Sequence, residues 1–152
     1  MNNPYELTNK VALITGGAEG IGFGIASEFI KLGAKVVITG RTLKSLENAQ
    51  KYLGNNCTLY QNDVSDKASI QPLIDTVEKE VGKLDVLVNN AGKHFKKSSV
   101  KVTDQEFQSV MDINLNSVFV LTRGVLKKMI PRESGSVIFI SSMAAIYGLQ
   151  KV

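Results

Sequence analysis

Short apolar runs alternate along this chain with longer stretches in which apolar residues return every three or four positions. Residues 11–15, Val-Ala-Leu-Ile-Thr, read as a buried strand. From Gly20 to Leu32, the residues Ile21, Ile25, Phe29 and Leu32 fall at helical spacing, and Gly33 is placed to stop that helix. Residues 34–39 make a second strand, 43–53 a helix stopped by Gly54, Asn55 and Asn56, and 57–60 a short third strand. A helix over 66–81 has Ser65 or Asp66 as its cap and Gly82 as its stop, and 84–88 is a fourth strand. Thr103 and Glu106 have the spacing of a capping box and open one long helix reaching to about residue 130, before a fifth strand over 135–140.

Near-continuous apolar strands separated by helices imply parallel strands covered on both faces. Right-handed crossovers then give an α/β, doubly wound sheet, with residues 1–152 as one domain and no linker or repeat dividing it. After the fifth strand the segment 141–152 contains no returning helix, so the pattern breaks off in mid-crossover and reads as an N-terminal fragment. On that reading the fifth strand and the apolar face of the long helix lack cover, and aggregation or non-native association is expected.

Composition narrows the classes without adding a function. Hydrophobic residues at 43% and charged residues at 21% are a globular balance. The net charge is +4, but Lys44, Lys51, Lys67, Lys79 and Lys83 are scattered among acids, as on solvated helix surfaces, so no nucleic-acid partner is expected. Cys57 and His94 are the only residues of their kinds, which argues against a disulfide, a zinc cluster or a histidine-based triad. The first eight residues lack the features of a secretory signal and no apolar run approaches a membrane span; a cytoplasmic protein without membrane contact is expected.

Five features carry candidate chemistry. Thr15-Gly16-Gly17-Ala18-Glu19-Gly20-Ile21-Gly22 lies between the first strand and the first helix, where glycines let backbone N–H groups approach a pyrophosphate; glycines also collect in turns that bind nothing. The position that often carries a ribose-binding acid holds Gly40, followed by Arg41. A guanidinium there suits a 2′-phosphate and favours NADP, with NAD possible because Glu19 places negative charge nearby. Asp63-Val64 and Asn89-Asn90-Ala91-Gly92 follow the third and fourth strands, at the edge where open α/β sheets bind ligands, and either is also a serviceable turn. Asn114 stands three or four residues from Val110, Met111 and Val118 and seven from Phe107 and Leu121, which places it on the apolar face; a buried carboxamide left unpaired costs about 1–3 kcal/mol, so it must find partners. Ser141-Ser142 ends the fifth strand, as serine pairs in plain turns also do.

In order and spacing, the TGxxxGxG turn at Thr15, Gly16, Gly20 and Gly22, the NNAG run at 89–92, Asp63, Asn114 and Ser142 resemble the short-chain dehydrogenase/reductase family over essentially the whole chain. The resemblance implies a Rossmann-type sheet, of which this chain carries the first five strands. It implies a hydride-transferring enzyme that interconverts a carbonyl and a secondary alcohol on a small-molecule substrate and is homo-oligomeric when complete. Gly16, Gly20, Ile21 and Gly22 would cradle the phosphates, Arg41 would select NADP, Asp63 and Val64 would contact adenine, Asn90 and Ala91 would pack near the nicotinamide-side ribose, and Gly92 would belong to the same cofactor site. Ser142 would hold the substrate oxygen, and Asn114 would anchor a water in a proton relay. The family's Tyr-x-x-x-Lys falls about thirteen residues after the serine, past Val152, so the chain alone is expected to be inactive. Tyr147, with no lysine four residues on, does not replace that motif. Lys93 to Lys97, with the segment after the fifth strand, looks closest to gluconate 5-dehydrogenase-like members and next to 3-oxoacyl-carrier-protein reductases. A carboxylate substrate would suit Lys93, Lys96 and Lys97, which otherwise form a solvated loop. The competing class is a non-catalytic nucleotide-binding module or a degenerate interaction protein.

Overall fold

A computed structural model describes residues 5–147. Strands β1 (Val11–Thr15), β2 (Lys35–Gly40), β3 (Cys57–Gln61), β4 (Leu84–Asn89) and β5 (Ser136–Phe139) form one sheet in the order β3-β2-β1-β4-β5, with every pairing parallel. Helices α1 (Gly20–Lys31), α2 (Leu43–Leu53) and α3 (Lys67–Glu80) connect them in turn, and the β4–β5 connection carries α4 (Asp104–Met111) and α5 (Ser117–Met129). This is the doubly wound arrangement that the alternating pattern predicts, and the Rossmann-type sheet that the resemblance implies. The direction of winding reverses between β1 and β4, which opens a crevice beyond the strands' carboxyl ends.

The period-two alternation of strand side chains divides the core into two layers. Val11 and Leu13 of β1 join Val37 and Leu87 against α3 and α5, where Ile70, Ile74, Val77, Leu121 and Val125 are buried. Ala12 and Ile14 join Val36, Ile38 and Val88 on the other face against Ala26 of α1 and Leu46 of α2. A bulge occurs where β1 begins, the register to β4 passing from Val11↔Leu84 to Ala12↔Val86. The skipped residue, Asp85, accepts a hydrogen bond from the Val11 N–H at 3.0 Å, so the bulge leaves no orphaned donor there.

The expected single long helix is interrupted. The capping box at its start is present: Thr103 Oγ1 accepts from the Glu106 N–H at 3.2 Å, and a Glu106 oxygen accepts from the Thr103 N–H at 2.8 Å. A π-helical turn over Asp112–Asn116 then separates α4 from α5. An extra residue in the turn rotates the following helix by about 100° relative to a straight one. Ile113, Ser117, Leu121 and Val125 consequently face the core, while Asn114 is exposed rather than on the buried face the spacing implies. An outer stripe with Leu115, Phe119 and Ile130 faces solvent, and Ile138 and Phe139 of β5 are also exposed.

Candidate active site

The turn between β1 and α1 is shaped by its glycines. Gly16 and Gly20 have φ of +64° and +56°, a region that side chains resist. A Cβ on Gly22 would collide with the Gly16 carbonyl and the Asn90 amide, whereas one on Gly20 would meet nothing within 4 Å. The turn is therefore tight toward the protein and open outward. Glu19, at the N-cap of α1, makes no side-chain capping bond, so that helix end presents its first N–H groups without a side-chain acceptor.

Thr15 binds this turn to the end of β4. Its hydroxyl oxygen accepts from the N–H groups of Asn90 and Ala91, both at 3.0 Å, and the hydroxyl donates to the Val88 carbonyl at 3.3 Å. The Asn90 amide returns bonds to the carbonyls of Thr15 at 2.9 Å and Gly16 at 3.1 Å. Two motifs far apart in sequence thus form one hydrogen-bonded unit. In the sequence Thr15 is legible only as part of a motif; a threonine ending an otherwise apolar strand is the signal for its bridging part.

Beside this unit lies a cleft of about 280 Å³, lined among others by Gly16, Arg41, Asp63, Val64, Asn90, Ala91 and Gly92. That volume is just under the smallest usual ligand pockets, so the cleft suits one end of an extended dinucleotide rather than all of it. Gly20, Ile21 and Gly22 do not line it but form the adjoining first turn of α1, where Ile21 is exposed. The cleft also contains Thr39, Ser45, Asn62 and Ile113, none of which the motifs single out. Thr39 Oγ1 and Asn62 Oδ1 are buried without hydrogen-bond partners. Buried orphans cost about 1–3 kcal/mol each, and their place in the cleft wall makes them candidates for pairing with a polar ligand. Together with the outward-open glycine turn, they fit a nucleotide.

The charges around the cleft are arranged unevenly. Burial pushes the Asp63 carboxyl up, but hydrogen bonds from the Ser65 N–H and hydroxyl and the nearby cations of Arg41 and Lys93 outweigh it, so the group lies below the ordinary carboxylate value. Glu19 lines the same cleft as Arg41, so both signs of charge are present. The three loop lysines separate in role: Lys97 is paired with Glu106 at 2.7 Å, Lys93 donates to Ser109 Oγ at 3.0 Å, and Lys96 is exposed.

Asn114 pairs with the backbone of Lys93 in both directions, its Oδ1 accepting from the N–H and its Nδ2 donating to the carbonyl, each at 2.8 Å. The carboxamide is satisfied, as its chemistry requires, by a loop peptide rather than by core partners. The Ile140 N–H donates to the Asn89 carbonyl at 2.9 Å, carrying the β4–β5 ladder one step further and placing the segment that leads to Ser142 at the same sheet edge as Asn90. Ser142 is exposed and does not line the cleft. Its oxygen accepts from the Ala144 N–H at 3.1 Å, which leaves the O–H to donate outward. Tyr147 is exposed, and the implied Tyr-x-x-x-Lys lies outside the described residues.

A family model described as short chain dehydrogenase matches residues 10–152. The chain is 38% identical to a 2-dehydro-3-deoxy-D-gluconate 5-dehydrogenase of Pseudoalteromonas atlantica, over 97% of this chain and 60% of that protein. It is 35% identical to a 3-oxoacyl-[acyl-carrier-protein] reductase of Salmonella typhimurium, over 91% of this chain and 57% of the other. Among solved structures, a serine dehydrogenase from Escherichia coli superposes with a TM-score of 0.84 at 32% identity, covering 91% of this chain and 65% of that one. The chain thus spans about three fifths of the curated relatives it matches.

Proposed function

The chain belongs to the short-chain dehydrogenase family, and from that premise we propose that it binds NADP(H) at the β1–β4 crevice as part of an oxidoreductase interconverting a carbonyl and a secondary alcohol. The observation that carries the reading is the Thr15–Asn90 unit, which joins an outward-open glycine turn to a cleft containing Arg41. Gly16, Gly20, Ile21 and Gly22 take the phosphates, Asp63 and Val64 the adenine, and Asn90, Ala91 and Gly92 the nicotinamide-side ribose. Arg41 offers a planar fork to a 2′-phosphate, and Thr42 and Ser45 line the same cleft. Glu19 opposes that preference, so NAD(H) binds more weakly rather than not at all.

When bound, the nicotinamide exchanges the hydride, and the protein's share is orientation and proton handling. Ser142 donates its O–H to the substrate oxygen. Asn114 pins the Lys93 peptide beside the cleft and anchors the relay water. A sugar acid or a 3-oxoacyl thioester is the proposed substrate class, supported by what the two curated relatives are named for. Within that class, the exposed Lys96 suits a carboxylate. The same reading takes the complete protein as a cytoplasmic homo-oligomer. Among the described residues no helix is long and apolar enough to cross a membrane.

The test is a fluorescence titration with NADPH and NADH on the chain and on Arg41→Ala. The expected result is tighter binding of NADPH, weakened by roughly tenfold or more in the variant, with NADH nearly unchanged. Failure of both nucleotides to bind would remove the reading. Binding by a longer form of the protein without turnover of sugar acids or 3-oxoacyl thioesters would favour a nucleotide-binding module instead.

A further inference from the structure

Asn62 is the first residue beyond β3, and its N–H donates to the Gly40 carbonyl at 3.0 Å, so the β2–β3 ladder fixes its backbone. Its side chain is anchored at one end only. Asn62 Nδ2 donates to Ser69 Oγ of α3 at 2.7 Å, while Asn62 Oδ1 is buried without a partner among the described residues. The amide has a defined sense, because the single hydroxyl proton of Ser69 goes to the Asp66 carbonyl at 2.8 Å. Ser69 Oγ can therefore only accept from Asn62, which keeps the amide nitrogen toward α3 and leaves the oxygen unused. Asn62 lines the cleft, so an occupant of the cleft is the partner left for that oxygen.

Thr39 Oγ1 is the other unpartnered atom in this wall. Side-chain alternation puts Thr39 on the α3 side of the sheet, two residues beyond Val37, which packs in that layer. A hydroxyl both donates and accepts and so discriminates little, whereas Asn62 Oδ1 only accepts. The next residue adds a second acceptor. Asp63 uses Oδ1 for both the Ser65 N–H and the Ser65 hydroxyl, at 2.9 and 2.7 Å, so its Oδ2 keeps its lone pairs. Consecutive residues of the cleft wall thus offer oxygen acceptors, and Val64 and Ile113 of the same cleft supply apolar cover for a flat ring.

An exocyclic amino group carries an N–H donor for each of these acceptors. Adenine has such a group where guanine and hypoxanthine carry an oxygen. An oxygen in that place would leave Asn62 Oδ1 unpaired and set a further acceptor beside it. We propose that Asn62 is a specificity-determining residue for the base, its Oδ1 accepting from the adenine amino group. The proposal rests on the dinucleotide reading above and adds to it a base contact from a residue outside the motifs.

The experiment measures affinities for NADPH and 5′-AMP, and for the counterparts of both that carry hypoxanthine, on the chain and on Asn62→Leu, with thermal melts of each. Leucine has nearly the shape of the amide and no acceptor. The preference for adenine over hypoxanthine is expected to fall by roughly tenfold in the variant, the scale of one hydrogen bond to an otherwise orphaned group. Because the contact is to the base, the dinucleotide and the mononucleotide show the same fall. A side chain that only shapes the wall would weaken all four ligands alike, so an unchanged preference overturns the proposal. A fall seen with the dinucleotide and not with 5′-AMP overturns it too. Should the melts show that Asn62→Leu is unfolded, Asn62→Ala removes the acceptor without filling the space, and the same ratio decides. Failure of the unsubstituted chain to bind NADPH or 5′-AMP would instead remove the dinucleotide reading, and the proposal with it.

Discussion

At the β1–β4 junction every residue of β1 is buried, and Thr15 exchanges hydrogen bonds with three residues at the end of β4. At β5, on the same sheet, Ile138 and Phe139 are 39% and 56% exposed, and Ser142 is tied to its own turn, its hydroxyl oxygen accepting from the Ala144 N–H and its carbonyl from the Ala145 N–H. Both regions lie at the carboxyl edge of parallel strands and both carry residues of the proposed site. In the first, the positions follow from a packed framework with two covered faces. In the second, they follow from one paired strand edge and a local turn. The difference teaches that the proposed cofactor side is preorganised by the core, while the proposed substrate side is held by much less.

The hardest test of that contrast is Thr15→Val, which preserves shape but removes the hydroxyl. The N–H groups of Asn90 and Ala91 would lose their acceptor in a partly buried setting, and the expected loss of stability is about 3 kcal/mol by urea unfolding. A loss under about 0.5 kcal/mol would mean that the junction does not depend on this bridge and would dissolve the comparison.

Acid should act on the framework side next. Burial raises the carboxyl of Glu78, but its bonds from Arg132 and from the Leu84 N–H at the start of β4 hold it below its ordinary value, and Asp63 is likewise lowered. Groups with folded values below their unfolded ones stabilise the fold fully above the unfolded values, about 3.9 for Asp and 4.3 for Glu. That contribution disappears as pH falls through the lower folded values. The melting temperature should therefore be flat from neutrality to about pH 5 and fall below it. A melting temperature that rises on acidification through this window would contradict the assignment.

The smallest expected effect is that of Ser142→Ala. With an exposed hydroxyl and one local bond at stake, stability should change by no more than about 0.5 kcal/mol in the same urea assay. A change approaching that of Thr15→Val would show that the β5 end is integrated into the framework.

Much of the fold is legible in the order of residues alone. Five strands are visible as apolar runs, and the helix over 43–53 and the capping box at Thr103 are legible because their signals lie within a few residues. Gly16, Arg41, Asp63, Val64, Asn90, Ala91 and Gly92 each stand out through local motifs, and the fold gathers them around one cleft. The orphaned Thr39 and Asn62 atoms leave no trace in the sequence, because a polar residue at a strand end gives no sign of whether a partner will reach it. Asn114 is misplaced by the spacing because a count of three and four assumes a regular helix.

By itself, then, the sequence determined the five strands, their parallel winding and the edge at which chemistry gathers, since period two, period 3.6 and glycine stops are local properties of the chain. The tertiary structure alone decided how those pieces join. Thr15 meets Asn90 across 75 residues, and Asn114 meets the Lys93 peptide across 21. Bonds of that reach have no periodic signature. They form only once the sheet has aligned the ends of β1 and β4 and the π turn has swung Asn114 out of the core toward the loop that follows them.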